Sequence, residues 1–187
     1  LTIKNKKRLS KNHFPVTGSI QLDSFINDKT TKKSIFDKYG LDINLPTLLV
    51  TPNPVKTYLN DKGNNFIRKS IEIIESEINL NLIINLHPSD RFMGNNNFSN
   101  HPILKTPDFY PMLKFSDAIL TPRSTIGLES SLCKVPILTD DHYPQQSLPY
   151  FSQGYRVGCP VNSDNILSVI KKCDEGKISF DFKKFNE

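Results

Sequence analysis

Residues 116–140 read Ser116-Asp117-Ala118-Ile119-Leu120-Thr121-Pro122-Arg123-Ser124-Thr125-Ile126-Gly127-Leu128-Glu129-Ser130-Ser131-Leu132-Cys133-Lys134-Val135-Pro136-Ile137-Leu138-Thr139-Asp140. The order of residue types is strand, polar turn, short helix, strand. Ala118-Ile119-Leu120 is a brief apolar run of the kind a parallel strand buried on both faces shows. Ser124 or Thr125 can cap a helix on which Leu128 and Leu132 are spaced for one face. Val135-Pro136-Ile137-Leu138 begins the next strand, with proline where a missing N–H does least harm. The turn between them falls at the carboxyl end of a strand and the amino end of a helix. Open α/β sheets place ligands there, and helix N-termini favour anions.

The turn is chemically loaded. Arg123 carries a planar cationic fork, Ser124 and Thr125 carry hydroxyls, and Glu129 lies in the first turns of the helix. Hydroxyl, N–H and cationic donors together suit a phosphate, and a carboxylate one turn further on suits sugar hydroxyls. The plainer alternative stands beside it: Ser124 as an N-cap only, and Glu129 as a negative charge near the positive end of the helix dipole.

Working outward, the same alternation repeats. Thr30 or Thr31 caps a helix through Tyr39, with Ile35, Phe36 and Tyr39 on its inner stripe and Gly40 closing it. Pro46 to Thr51 is a buried strand, broken by Pro52-Asn53-Pro54. Phe66 to Ile78 is the clearest helix, because Ile67, Ile71, Ile74 and Ile78 share one side. Leu80 to Leu86 is the next strand, ending at His87-Pro88, and residues 89–107 read as a long loop. Asp108 to Phe115 forms a short helix. Tyr155 to Pro160 is a last strand, and Ser163 caps a final helix with Ile166, Leu167, Ile170 and Cys173 inward. Near the start, His13 to Ser19 reads as a strand ending in a glycine turn at Gly18.

Strand–helix alternation implies a parallel sheet with helices on both faces. Gly18, Thr51, His87, Arg123–Thr125 and Asp140 all fall just after expected strands. A parallel sheet would gather them at one edge, so residues distant in sequence would line one crevice.

Composition sets bounds. The chain has 187 residues, 37% of them hydrophobic, with 12 Phe and no Trp. That is enough for one domain with a proper core. No apolar run approaches the roughly 20 residues of a membrane span. The net charge of +5 is concentrated in residues 1–12, where Lys4, Lys6, Lys7, Arg8 and Lys11 stand without an acid. The other 19 Lys and Arg balance the 19 acids. We therefore divide the chain into a basic linker or arm, 1–12, and a domain, 13–187. A neutral body argues against nucleic acid, whose binding needs basic residues spread over the fold. Cys133, Cys159 and Cys173 are widely spaced, with no Cys-x-x-Cys pair. This fits neither a disulfide scaffold nor a cysteine zinc site, and a reducing cytosol is the simplest compartment.

Four blocks carry a family resemblance: FPVTGSIQLDSF from Phe14, LLVTPNPVKTYL from Leu48, NLIINLHPSD from Asn81, and YPMLKFSDAILTPRSTIGLESSLCKVPIL from Tyr110. Together they resemble the carboxyl-terminal domain of GT-B enzymes. The nearest groups are UDP-N-acetylglucosamine 2-epimerases, CDP-glycerol glycerophosphotransferases and bacterial polysaccharide glycosyltransferases. The resemblance implies an α/β fold, a three-layer Rossmann-like parallel sheet that is one half of a GT-B fold. It implies a UDP-, CDP- or CMP-linked sugar donor, an acceptor domain on the amino-terminal side, and a cytoplasmic protein able to work at the inner face of the membrane. It implies no metal and no cofactor. By the same resemblance His87, Ser124 and Thr125 contact donor phosphates beside Arg123, Glu129 contacts the ribose, and Gly18 lies at the crossover from the other domain.

The blocks depart from the epimerase pattern in two places. Epimerases carry His-Arg where this chain has Pro52-Asn53, and Ser-Gly-Gly where it has Ser124-Thr125-Ile126. Transfer is therefore the first reading and epimerisation the second, with little turnover expected of this half alone. A third reading, of another class, is a non-catalytic interaction domain using residues 1–12.

Overall fold

The computed structural model describes residues 28–52, 60–92, 98, 100–122, 124, 126–140 and 158–175. The chain forms α1 (Lys32–Tyr39), β1 (Thr47–Val50), α2 (Asn60–Glu77), β2 (Asn81–Ile84) and α3 (Pro88–Phe92). A 3-10 turn (Thr106–Asp108) then leads into α4 (Phe109–Lys114), β3 (Ala118–Thr121), α5 (Ile126–Leu132), β4 (Ile137–Asp140), β5 (Gly158–Val161) and α6 (Ile166–Asp174).

All five strands are parallel, in the order β2-β1-β3-β4-β5. Ile103 adds a parallel bridge to Ile84 on the outer edge of β2. Counted as a vestigial strand, it makes the spatial order 3-2-1-4-5-6, the order of the dinucleotide-binding sheet. The expected strand at His13–Ser19 lies outside the described residues.

Every residue of β1, β2 and β4 is buried, which is why they read as unbroken apolar runs rather than alternating ones. Alternate residues serve two cores. Leu49, Ile83, Ile119 and Ile137 pack with Ile35 and Phe36 of α1 and with Met112 and Leu113 of α4. Ile126 and Cys133, at the two ends of α5, border that core. Leu48, Val50, Leu82, Ile84, Leu120 and Leu138 pack instead with Ile67, Ile71 and Ile74 of α2 and Ile166 of α6. The α/β class and its three layers are thus as expected.

Caps follow local chemistry. The Thr31 hydroxyl accepts from the Ser34 N–H at 3.2 Å, and Gly40 closes α1 at φ 67°, where a side chain would strain the backbone. Ahead of α6 the cap is Asn162, not Ser163: Asn162 Oδ1 accepts from the N–H groups of Asp164 and Asn165. α2 begins at Asn60, six residues before the expected start, because its first turns pack through Gly63 and Asn64, which an apolar stripe does not reveal. The supposed loop 89–107 holds α3, the Ile103 bridge and the 3-10 turn.

Two polar networks lock the sheet to its surroundings. The buried Asn81 side chain accepts from the Asp42 N–H (2.9 Å) and donates to the Asp42 carbonyl (2.7 Å), the Leu45 carbonyl (3.3 Å) and Thr47 Oγ1 (3.2 Å). It fixes the approach to β1. Asp108 receives Lys38 Nζ at 2.7–2.8 Å and the Tyr39 hydroxyl at 2.6 Å, tying α1 to α4. Burial pushes its pKa up, but the hydrogen bonds from Lys38 and Tyr39 and the charges of Lys38 and Lys105 outweigh that, leaving it below the ordinary 3.8.

Asn81→Leu strands several loop groups at once, so a loss of about 2 kcal/mol is expected, read as a lower urea midpoint at unchanged slope. For Asp108 the folded-state pKa lies below the unfolded one. Its contribution is therefore present above the ordinary carboxylate value and disappears as pH falls through the folded value. Lys38 is about half exposed, so most of the effect comes from the hydrogen bonds rather than the ion pair. Asp108→Asn should cost roughly 1–2 kcal/mol at neutral pH and flatten the acid limb of a stability curve below about pH 4.

Candidate functional site

Because the strands are parallel, one edge of the sheet collects every strand's carboxyl end. β1 leads to Thr51 and Pro52, β2 to Asn85-Leu86-His87, β3 to Pro122 and Ser124, and β4 ends in the buried Asp140. The chain leaves β1 toward β2 on one side and later returns to β3 on the other. The gap between the ends of β1 and β3 is therefore the topological switch point, where such sheets bind ligands. The ladder persists beyond the strands: Thr51 N–H donates to the Leu120 carbonyl at 2.9 Å, and Asn85 N–H to the Val50 carbonyl at 2.8 Å.

His87 is exposed at this edge. Its Nδ1 accepts from the Ser89 N–H at 3.2 Å and lies 2.8 Å from Ser89 Oγ, so the ring caps the first turn of α3. With Nδ1 occupied as an acceptor, the proton of the neutral ring sits on Nε2, which is left as a donor. Pro88 in the first position of α3 sacrifices no helix hydrogen bond. The capping role of the ring thus engages one nitrogen, Nδ1.

Ser124 is half-buried, and its Oγ accepts from the Ile126 N–H at 3.2 Å, joining the turn to the start of α5. The capping expected of it is present. Glu129 projects from α5 toward α4, where it pairs with the Tyr110 hydroxyl. Burial lifts the Glu129 pKa above its ordinary 4.5, more than the Tyr110 and backbone hydrogen bonds lower it. Glu129 Oε2 is buried and makes no hydrogen bond. Tyr110 is raised too, by burial first and then by the Glu129 charge. Of the expected site residues, His87, Ser124 and Glu129 follow β2 and β3 at the same edge, while Gly18, Arg123 and Thr125 lie outside the described residues.

The sequence reading places Thr51 at this edge but singles out neither Thr121 nor Tyr110. Thr51 and Thr121 are 4% and 2% exposed, and neither hydroxyl has a hydrogen-bond partner. Thr139, in register with Thr121, instead donates to the Pro122 carbonyl at 2.9 Å. The threonines at strand ends were the available signal, masked by the ordinary abundance of threonine in strands.

No protein-family model and no curated protein sequence matches the chain. Solved structures do match. UDP-GlcNAc 2-epimerase from Neisseria meningitidis, bound to UDP-GlcNAc, superposes with a TM-score of 0.55 at 17% identity over 87% of this chain and 47% of that one. The Methanocaldococcus jannaschii enzyme, in complex with UDP-GlcNAc and UDP, gives 0.53 at 18% identity over 89% and 49%. The wall teichoic acid polymerase TagF gives 0.60 at 12% identity over 88% and 43%. The chain has the fold of one half of a GT-B protein. It spans less than half the length of these three proteins. Among the described residues, no helix is long and apolar enough to cross a membrane.

Cys133 lies one helical turn beyond Glu129, and burial followed by the Glu129 charge pushes its thiol up to about 12. It should therefore resist iodoacetamide at pH 8 in the folded protein and label readily once unfolded, as mass spectrometry of the Cys133 peptide can show.

Proposed function

We propose that this chain is the donor-binding half of a GT-B glycosyltransferase-like enzyme that takes a UDP-, CDP- or CMP-linked sugar and serves surface-polysaccharide synthesis. The observation that supports the reading is the placement of His87 after β2 and Ser124 after β3, at the carboxyl edge of a parallel sheet with this strand order. Ser124, Arg123 and Thr125 would donate to the donor phosphates, with His87 Nε2–H as a further donor. Fixed donors facing the departing nucleotide stabilise the negative charge that grows on it as the glycosidic bond breaks. The ribose hydroxyls would satisfy the Glu129 carboxylate. Gly18 would stand at the crossover to an amino-terminal half that supplies the acceptor and the general base. The setting would be cytoplasmic, at the inner face of the membrane.

UDP-sugar epimerisation is the second reading, favoured by the epimerases among the structural neighbours. It predicts conversion of UDP-N-acetylglucosamine with no acceptor present, which the transferase reading does not.

Calorimetry of the intact two-domain protein with UDP, CDP, CMP and GDP tests the proposal. Saturable binding of one of them is expected, and none at millimolar ligand would refute it. Glu129→Gln separates ligand binding from folding. Since burial raises the folded-state pKa, ionising this carboxyl costs stability as pH rises from about 4.5 through the folded value. The glutamine variant should thus be as stable as the parent or more so at pH 7, while nucleotide affinity falls about tenfold, as for a lost charge-assisted hydrogen bond.

A further inference from the structure

Among the described residues, six buried side-chain atoms make no hydrogen bond, and two of them belong to threonines on neighbouring strands at the switch point. Val50 and Leu120 are in register, so Thr51 and Thr121 stand side by side one step further on, separated by about the 5 Å between strands. Alternation puts both on the face of Leu49 and Ile119, the side covered by α4 and α5. Thr139 continues the row on β4, and its hydroxyl reaches the Pro122 carbonyl. The fold thus supplies a partner for one hydroxyl of the row and none for the two that flank the switch point.

A buried hydroxyl without a partner is costly, and a valine of the same shape would fill either position without that cost. Thr47 shows the alternative on β1 itself: its hydroxyl is buried too, and Asn81 bonds it. Two neighbouring exceptions at the ligand-binding edge of the sheet call for a partner from outside the chain. Two O–H donors about 5 Å apart, on the strand that ends in the Pro122–Ser124 turn and on its neighbour, match an anionic group that accepts from both. We infer that the Thr51 and Thr121 hydroxyls form a donor pair for the diphosphate of the nucleotide, adding a floor to the site whose rim holds Ser124 and His87. The inference rests on the donor-binding reading above.

The test compares threonine, valine and serine at both positions of the intact two-domain protein. Thermal unfolding is followed without ligand, and calorimetry with whichever of UDP or CDP binds the parent, and with the matching nucleoside. Thr51→Val with Thr121→Val should leave the ligand-free midpoint equal or higher and weaken nucleoside diphosphate binding by tenfold or more, with nucleoside binding unchanged. Thr51→Ser with Thr121→Ser keeps the donors and should bind within a few-fold of the parent. If the valine pair folds poorly, Ala against Ser at the same positions isolates the hydroxyls. Parent binding with equal affinity in the valine and serine pairs would overturn the inference while sparing the donor-binding reading, and would mark the hydroxyls as partners of buried water only. No binding of UDP, CDP or GDP by the parent overturns the inference, and the donor-binding reading falls with it when CMP also fails to bind.

Discussion

The pairing of β1 with β3 is the contact on which the rest depends. It joins segments about 70 residues apart, and it is pinned at both ends. At the start, Thr47 N–H donates to Asp117 Oδ2 at 2.8 Å while Asp117 N–H donates to the Thr47 carbonyl at 2.9 Å. At the finish, Thr51 N–H reaches the Leu120 carbonyl. A one-residue slip of β1 against β3 would turn Leu49 away from the core it shares with Ile119 and carry Thr51 to the face opposite Thr121. Asp117 therefore does more than end a turn, because its carboxylate fixes the register that sets what stands at the switch point.

That register also orders the costs. The strands bury apolar side chains on both faces, and this burial carries the stability of the domain. Against it stand polar groups held without full satisfaction, among them the Thr51 and Thr121 hydroxyls and one oxygen of Glu129. Each could be replaced by an apolar or neutral residue of similar shape with no loss to the core. Where a ligand completes such groups, free-state stability is lower than the fold could reach.

Much of this was legible in the sequence, for identifiable reasons. Short apolar runs such as Leu48-Leu49-Val50 and Ile83-Ile84 announce strands buried on both faces, and the isoleucine spacing of α2 announces a helix. Once alternation implies a parallel sheet, the placement of His87 and Ser124 at one edge follows from topology. What escaped has physical causes as well. Gly63 and Asn64 pack without being apolar, so the first turns of α2 were missed. Ile103 touches the sheet through a single bridge, too short for any periodicity. The capping role of Asn162 depends on the side chain bending back to two N–H groups, which Ser163 beside it could equally have done on paper.

The candidate site divides along the same line. Position is a property of topology and can be read from residue order, so the placement of His87 after β2 and of Ser124 after β3 was foreseeable. Satisfaction is a property of three-dimensional neighbours and cannot be. Nothing in the string tells Thr139, whose hydroxyl finds a carbonyl, from Thr121, whose hydroxyl finds none, although the two sit in register. Nor does spacing reveal that Tyr110, nineteen positions upstream, bonds one oxygen of Glu129 while burial leaves the other bare. The polar groups that a fold leaves unpaired become visible only when every other hydrogen bond has been assigned.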